Sequence, residues 1–363
     1  MNGTPAVSVE TLSLIGAVVT SLLAVVGLIT IGRSVLTARR DRRTAQARGQ
    51  IRRAFLERME ATDPAWDDWV TELNETERRV AQDLLREYLE RVRGRDRQSL
   101  QRLGYALGLD RRARRKLREG DRFERRWALN WIARLDVDVP TASLERTCEE
   151  HPDASAPVAR VLYEQDRPEA ARIGTELLLR GSRPLSVLGV DSLYQLNKLS
   201  PAPLFERATS SYDEWSESRL IQVLRVIGEA GPANPDTSLG WIGFLFVSSS
   251  PAVRAAAAES LVGYGWHEDV RAAVDVERIR TDESPRVRGA IYRMLGTWQD
   301  EASTAALLAA IGTETDPRSA IDAISALGER ARDLDETELS AASAAAREWV
   351  LASTEPTKTE AVR

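Results

Sequence analysis

The sequence predicts an all-α protein, on three observations. No segment of the 363 residues shows the alternation of apolar and polar side chains that is typical of strands. Helical segments in the C-terminal part recur at intervals of about 33 residues. An uncharged apolar run near the N-terminus has the length of a membrane-spanning helix. We therefore expect one transmembrane helix followed by an α-solenoid of stacked helix pairs.

The apolar run extends from Thr11 to Ile31 and is 21 residues long. A helix rises ~1.5 Å per residue, so this run spans the ~30 Å hydrocarbon core once. A cleaved secretory signal has basic residues before its apolar part, whereas Glu10 is the only charged residue here. We predict a retained transmembrane helix over 11–31.

A basic flank after the run predicts its orientation. Its arginines are Arg33, Arg39, Arg40, Arg42 and Arg43. Basic residues beside a membrane span stay in the cytoplasm. The sequence therefore predicts a single-pass protein of the cell membrane, with residues 1–10 outside and everything from about residue 33 in the cytoplasm. The sole cysteine, Cys148, agrees with a reducing compartment because it allows no internal disulfide.

Charge is distributed unevenly along the rest of the chain. Residues 33–126 contain 26 Arg and Lys against 17 Asp and Glu, while residues 127–363 contain 24 against 37. The densest basic stretch comprises Arg111, Arg112, Arg114, Arg115, Lys116 and Arg118. It is a candidate patch for anionic lipid or an acidic partner, and a solvated face paired with acids is an equal alternative. Nucleic acid is less favoured, because the acidic remainder would repel a polyanion.

A repeat is visible in the C-terminal part. SPAVRAAAAESLVGYG (250–265) and SPRVRGAIYRMLGTWQ (284–299) align without gaps at an offset of 34 residues. Their apolar residues match and lie on one helix face. Both segments begin with Ser-Pro, the order of a Ser N-cap and a Pro at the first helical position. A looser copy, DPRSAIDAISALGER (316–330), follows.

The other predicted helices surround these copies. They cover 75–94, 96–109, 122–135, 155–165, 167–181, 184–200, 217–231, 237–248, 268–280, 301–312 and a cap helix over 336–352. The predicted organisation after the transmembrane helix is a basic juxtamembrane helix (32–62), a basic helical part (63–120), the repeats (121–352) and a flexible tail (353–363).

These residues resemble the HEAT-repeat family, in particular bacterial and archaeal repeats whose second helix reads D-P-x-V-R-x-x-A-x-x-A-L-G. Arg254 and Arg288 match the family's arginine, which is mainly structural, and Gly296 and Gly328 match its glycine. Val262 replaces that glycine in one copy, so a different turn is expected there. The resemblance implies a right-handed solenoid whose second helices line a concave surface.

The resemblance is good over 213–330 and weaker over 120–212. Membrane-bound relatives of this kind often accompany enzymes of envelope or polysaccharide synthesis, so it implies a scaffold or adaptor that binds a protein partner. The candidate contacts on the concave face are Arg254, Glu259, Arg288 and Arg293. The alternatives are a membrane-tethered nucleic-acid-binding module and an enzyme similar to HEAT-like bilin lyases.

The sequence favours no catalytic, cofactor or metal site. It contains no nucleotide-binding glycine loop, no G-x-S-x-G and no H-E-x-x-H. Cys148 and His151 provide half of a zinc site, and His267 is the only other histidine. The segment DPAWDDW is interpreted as a capped helix start whose Trp66 and Trp69 pack inward. We predict that the protein is not an enzyme and has no cofactor.

Overall fold

The computed structural model describes residues 48–61, 63–231 and 238–354. These residues form helices, turns and loops, and none of them is in a strand. The predicted all-α class is therefore confirmed for this part of the chain.

The membrane-related predictions fall elsewhere in the sequence. The run from Thr11 to Ile31, the five flanking arginines and residues 355–363 lie outside the described residues. Within the described ranges, no helix combines the length and the apolar character needed to cross a bilayer.

The chain divides into two compact units. The first comprises the residues up to Arg112 together with Arg134–Asp136. Its helices are α1 (48–60), α2 (Trp66–Glu72), α3 (Glu75–Leu89), α4 (Gly94–Ala106) and the start of α5 (Leu109–Glu119).

The core of the first unit contains an aromatic cluster. The Phe55 ring lies 5.8 Å from that of Trp66 and 5.3 Å from that of Tyr88, and the Trp66 and Trp69 rings are 5.5 Å apart. Both tryptophans are buried, as the sequence predicts. Trp66 Nε1 donates to Ser99 Oγ at 3.0 Å, which satisfies its polar atom. This cluster joins α1, α2 and α3.

The second unit comprises Ala113–Ala133 and the residues from Val137 onward. After the remainder of α5 come α6 (Arg122–Leu135), α7 (Thr141–Glu150), α8 (Ser155–Glu164), α9 (Ala170–Leu179), α10 (Val187–Leu199), α11 (Ala202–Ser211) and α12 (Glu217–Ala230). They are followed by α13 (Gly240–Gly243), α14 (Pro251–Val262), α15 (Glu268–Ala273), α16 (Val276–Ile279), α17 (Pro285–Trp298), α18 (Glu301–Thr313), α19 (Pro317–Leu327) and α20 (Ala341–Thr354).

From α8 onward, the helices of the second unit form two layers. One layer, which we call the row, is α8, α10, α12, α14, α17, α19 and α20, and each of these helices packs against the next. The other layer contains α9, α11, α13, α15, α16 and α18, which pack on the row or on one another. Every row helix thereby buries one face against a neighbour that is close in sequence.

Polar contacts from one row helix to its neighbour, or to the loop just before that neighbour, recur at similar sequence separation. Ser319 Oγ donates to the Pro285 carbonyl at 2.7 Å, across 34 residues. Gln222 Nε2 donates to the Leu185 carbonyl at 3.0 Å, across 37 residues. These separations are close to the 34-residue offset of the sequence copies.

Three predicted helices differ from those observed. The cap helix predicted over 336–352 begins with a 3₁₀ turn at Glu336–Glu338, and α20 starts only at Ala341, after the extended Leu339. The segment predicted over 237–248 contains only the short α13, followed by a 3₁₀ turn at Phe244–Val247. The single helix predicted over 268–280 is wrong, because Val274 is extended and separates α15 from α16. The Asp275 side chain accepts from the Arg278 N–H and so caps a new helix start there.

The predicted order of a Ser N-cap followed by Pro is confirmed, but the serine side chains do not form the cap. Ser250 and Ser284 occupy the N-cap positions of α14 and α17, but neither side chain makes a capping hydrogen bond. Asp316, at the start of the looser copy, does accept from the Ser319 N–H at 2.9 Å. The proline after each serine has the φ angle that a helix start requires, so these helices begin without a side-chain cap.

Gly296 allows α17 to approach α19 closely. It lies inside α17, and a Cβ added to it would lie 2.7 Å from the Ala326 Cβ and 2.9 Å from the Ala326 Cα. Gly328 has a different role, since its φ of 57° ends α19 in a conformation that glycine favours. The two glycines that match the repeat motif therefore act by different physical means.

We expect Gly296→Ala to lower the free energy of unfolding by ~1–3 kcal/mol, because the added methyl group overlaps Ala326 and the helices must separate. Gly49→Ala is the matched control, since nothing lies within 4 Å of its Cβ position on α1. The control should be neutral or stabilising by up to ~1 kcal/mol. Urea unfolding of the full chain in a non-ionic detergent measures both. Equal destabilisation by the two substitutions would contradict this account.

Candidate docking surface

The predicted basic patch lies on α5, one face of which is buried. Leu109, Ala113 and Leu117 recur every four residues and form that buried face. The exposed residues of the patch are Arg111, Arg112, Arg115 and Arg118. Helix α5 is therefore amphipathic, with a basic exposed face.

The other two residues of the patch are engaged in the fold. Arg114 Nη1 donates to the Asp138 carbonyl. Lys116 Nζ lies 2.7 Å from Glu124 Oε1 and 5.1 Å from the centre of the Trp127 ring. The hydrogen bond from Lys116 lowers the pKa of Glu124. Arg114 and Lys116 thus fasten α5 to neighbouring segments.

No carboxylate of the described chain pairs with Arg111, Arg115 or Arg118. Within the described residues, no ion pair neutralises these three arginines. Their charges remain available to a ligand outside the described chain.

Arg254 joins two consecutive helix pairs. Its Nε and Nη2 donate to Asp282 Oδ2 and Oδ1 at 2.6 and 2.9 Å, and its Nη1 donates to the Ser248 carbonyl at 2.7 Å. Ser248 precedes α14, whereas Asp282 precedes α17. The fork-shaped guanidinium matches a carboxylate with two parallel hydrogen bonds. We call this arrangement an arginine clamp.

Arg288 makes a second arginine clamp one repeat later. Its Nε and Nη2 donate to Glu314 Oε2 and Oε1 at 2.8 and 2.6 Å, and its Nη1 donates to the Asp282 carbonyl at 2.9 Å. Asp282 takes part in both clamps, which are therefore continuous. Since Arg254 and Arg288 are both occupied in this way, their role as contacts for a partner stays a prediction.

Glu314 is the most deeply buried acid of the two clamps, with 1% of its side chain exposed. Burial alone would raise its pKa, but hydrogen bonds from Arg288, from the Asp316 N–H and from the Tyr292 hydroxyl lower the pKa to about 2. Tyr292 Oη lies 2.9 Å from Glu314 Oε2. Burial and this carboxylate raise the pKa of Tyr292, so its hydroxyl stays protonated and donates.

The other two candidate contacts meet on an exposed face of the row. Arg293 Nη2 lies 3.5 Å from Glu259 Oε1 and its Nη1 donates to Asp322 Oδ2 at 2.6 Å. Glu259, Arg293 and Asp322 belong to α14, α17 and α19, and their side chains are 35%, 41% and 28% exposed. We call this line of alternating charges across three helices the row ladder. Its residues are oriented by one another and accessible to a partner.

Sequence reasoning missed a third set of contacts, at the start of α12. Arg219 Nε donates to the Arg183 carbonyl at 2.6 Å, and its Nη1 donates to the Gly181 carbonyl. Gln222 holds the backbone of Leu185 through both amide atoms. The sequence copies align at an offset of 34 residues, whereas 35 residues separate Arg219 from Arg254. The repeat alignment therefore could not identify Arg219.

The half zinc site has no further ligands nearby. No group of three or more His, Cys, Asp or Glu side chains suited to a metal occurs in the described ranges. Cys148 is buried, and burial raises its pKa to about 11. The thiol therefore stays protonated near neutral pH, which makes it a poor nucleophile.

Comparison with protein-family models, with curated proteins and with solved structures found no significant match to this chain.

The Glu314 clamp predicts a dependence of stability on pH. A carboxylate whose pKa falls from 4.5 to about 2 on folding stabilises the protein above pH 4.5, and this contribution is lost as the pH falls towards 2. The full contribution is on the order of 3 kcal/mol. Glu314→Gln removes the titrating group. The difference in unfolding free energy between wild type and Glu314→Gln should therefore shrink from pH 5 to pH 2.5. A constant difference over this range would contradict the assignment.

Proposed function

We propose that the chain is a membrane-anchored adaptor that binds a protein partner at the cytoplasmic face of a membrane through a HEAT-like solenoid. The observation that carries the proposal is the row ladder. It places Glu259, Arg293 and Asp322 on one exposed face of three consecutive helices. A partner that lies along this face would meet fixed charges of both signs.

The arginine clamps fix the helices that carry this face. Arg254 and Arg288 hold each loop to the next helix pair, so the spacing of α14, α17 and α19 is set by bonds within the protein. A preorganised surface loses little conformational freedom on binding, which favours affinity. The family resemblance supports a right-handed solenoid whose second helices, here the row, line the binding surface. Its member proteins also suggest a membrane enzyme complex of envelope or polysaccharide synthesis as the partner.

The exposed face of α5 supports a position beside the bilayer. Basic residues close to an anionic membrane contribute ~1 kcal/mol each. Arg111, Arg115 and Arg118 have no carboxylate partner in the described chain, so their charges are not already neutralised. The uncharged run over 11–31 would keep this helix near the membrane.

The membrane anchor is tested by extraction. We expect the full chain to remain in the membrane pellet after alkaline carbonate, because the apolar run spans the hydrocarbon core. A chain that lacks residues 1–31 should be released to the supernatant under the same conditions. Release of the full chain would refute the transmembrane prediction.

The docking face is tested by photo-cross-linking in intact membranes. A photoreactive residue in place of Arg293 should cross-link a defined protein, whereas one in place of Leu308, exposed on α18 of the other layer, should not. In the chain without a photoreactive residue, Arg293→Glu places three acids together and should lower the amount of that partner that co-purifies at least tenfold, since like charges repel.

Arg278→Glu is the matched control for this charge reversal, because Arg278 is exposed on α16 and outside the row. This control should leave the amount of co-purified partner unchanged. The row ladder is partly exposed, so Arg293→Glu should change the stability of the fold by only ~1 kcal/mol. Equal amounts of co-purified partner for the two variants would refute the proposed docking face.

A further inference from the structure

Two grooves meet at the start of α10. The larger, of about 790 Å³, is lined by the ends of α7 and α9 and by the loop that precedes α10. The smaller, of about 330 Å³, is lined by α6 and the first residues of α10. Ser186, the N-cap of α10, and Asp153 line both grooves. We call the two together the α10 concavity.

The α10 concavity is strongly basic. Its arginines are Arg122, Arg125, Arg126, Arg180, Arg183 and Arg219. Its acids are Glu149 and Asp153. Among the described residues, Arg180 is the only one of these arginines in an ion pair, 3.8 Å from the carboxylate of Glu176, and the charge of Arg125 also acts on Asp121 outside the grooves. The positive charge of the α10 concavity is therefore largely uncompensated.

Arg219 is the buried cation of the α10 concavity, with 3% of the residue exposed. Its Nε and Nη1 donate to carbonyls, whereas within the described residues its Nη2 makes no hydrogen bond and no carboxylate pairs with it. Burial and the nearby charge of Arg207 lower its pKa. A cation buried without a counter-charge costs stability unless an anion accompanies it.

The helix start adds further donors. Helix α10 has 13 residues, and the Ser186 side chain accepts from the Gly189 N–H at 3.1 Å. The N–H groups of Val187 and Leu188 have no acceptor among the described residues. Backbone donors at a helix N-terminus bind anionic oxygens, phosphate in particular. Together with Arg219, they indicate a phosphate-sized anion.

The rim of the smaller groove is apolar and exposed. Val187 is 90% exposed and Phe123 is 66% exposed, and the Arg122 guanidinium lies 4.5 Å from the centre of the Phe123 ring. Apolar side chains beside arginines suit the headgroup region of a bilayer, where both find partners. A free inorganic anion gains no favourable contact from this apolar rim.

We propose that the α10 concavity binds the phosphate of an anionic phospholipid headgroup, with Arg183, Arg219 and the start of α10 as donors and with Phe123 and Val187 in contact with the lipid. This site is separate from the row ladder. It does not depend on the identity of the protein partner.

Calorimetric titration of the full chain in a non-ionic detergent tests the site. The probes are dihexanoyl phosphatidylglycerol, dihexanoyl phosphatidylcholine and inorganic phosphate. We expect saturable binding of the phosphatidylglycerol, and weaker binding of both other probes. The double variant Arg126→Gln with Arg183→Gln should weaken that binding by about 30-fold, since each arginine contributes ~1 kcal/mol near anionic lipid.

The matched control is Arg286→Gln with Arg318→Gln, two exposed and unpaired arginines at other helix starts. It should leave the affinity unchanged. Arg126 and Arg183 are also exposed and unpaired in the described chain, so their variant should fold, whereas Arg219 also holds a loop. Phe123→Ser with Val187→Ser should weaken phosphatidylglycerol binding and leave phosphate binding unaltered.

Three results would overturn the proposal. They are equal affinity for the two lipids, an equal loss in the control variant, and inorganic phosphate binding as tightly as phosphatidylglycerol. None of them changes the expected cross-link at Arg293, so failure of the lipid site is distinguishable from failure of the docking face.

Discussion

The ion pair between a helix arginine and the carboxylate of the following loop is the interaction on which the row depends. In the Arg288–Glu314 pair both charges are largely removed from water, and the opposite charge is the main partner of each, beside the hydrogen bonds from Tyr292 to Glu314 and from Arg288 to the Asp282 carbonyl. Removing one member of such a pair typically costs ~3–5 kcal/mol, because the remaining charge has no partner. A shift of one helix past its neighbour would separate the charges, so the clamps also oppose changes of register between helix pairs.

The clamps also explain why the row can present polar residues outward. Packing between α14, α17 and α19 buries Val287, Ile291 and Leu295 completely. The register is then set by Arg254 and Arg288 at one end of these helices. Arg293 lies about one and a half turns further along α17 than Arg288 and contacts Glu259 and Asp322 on the accessible face. In α17, Arg288 thus stabilises the packing of the helices, while Arg293 contributes to the exposed face.

Local features of the fold could be predicted from the sequence. The Pro residues and the apolar spacing predicted α14, α17 and α19, and Gly328 predicted the end of α19, because helix starts, faces and ends depend on nearby residues. The break at Val274 was missed because it depends on a competing cap from Asp275. The sequence also predicted that the basic residues of α5 lie on a helix. It did not show which of them are paired, because their partners come from other segments.

Contacts between residues that are distant in the sequence were harder to predict. The partner of Arg293 could not be predicted, because its two acids come from different repeats. Arg219 carries no motif, and its importance arises only from the loop and the grooves that surround it. The shared role of Gly296 and Ala326 likewise depends on the distance between two helices. Such features become visible only when the packing is known.

The short separation in sequence between row neighbours has a consequence for biosynthesis. Each helix of the row packs against partners about one repeat away, so the loops that must close are short and the contact order is low. A newly made helix pair can dock on the pair before it without waiting for the C-terminus. The row can therefore assemble progressively while the chain is still being translated, with α20 covering the last exposed face at the end.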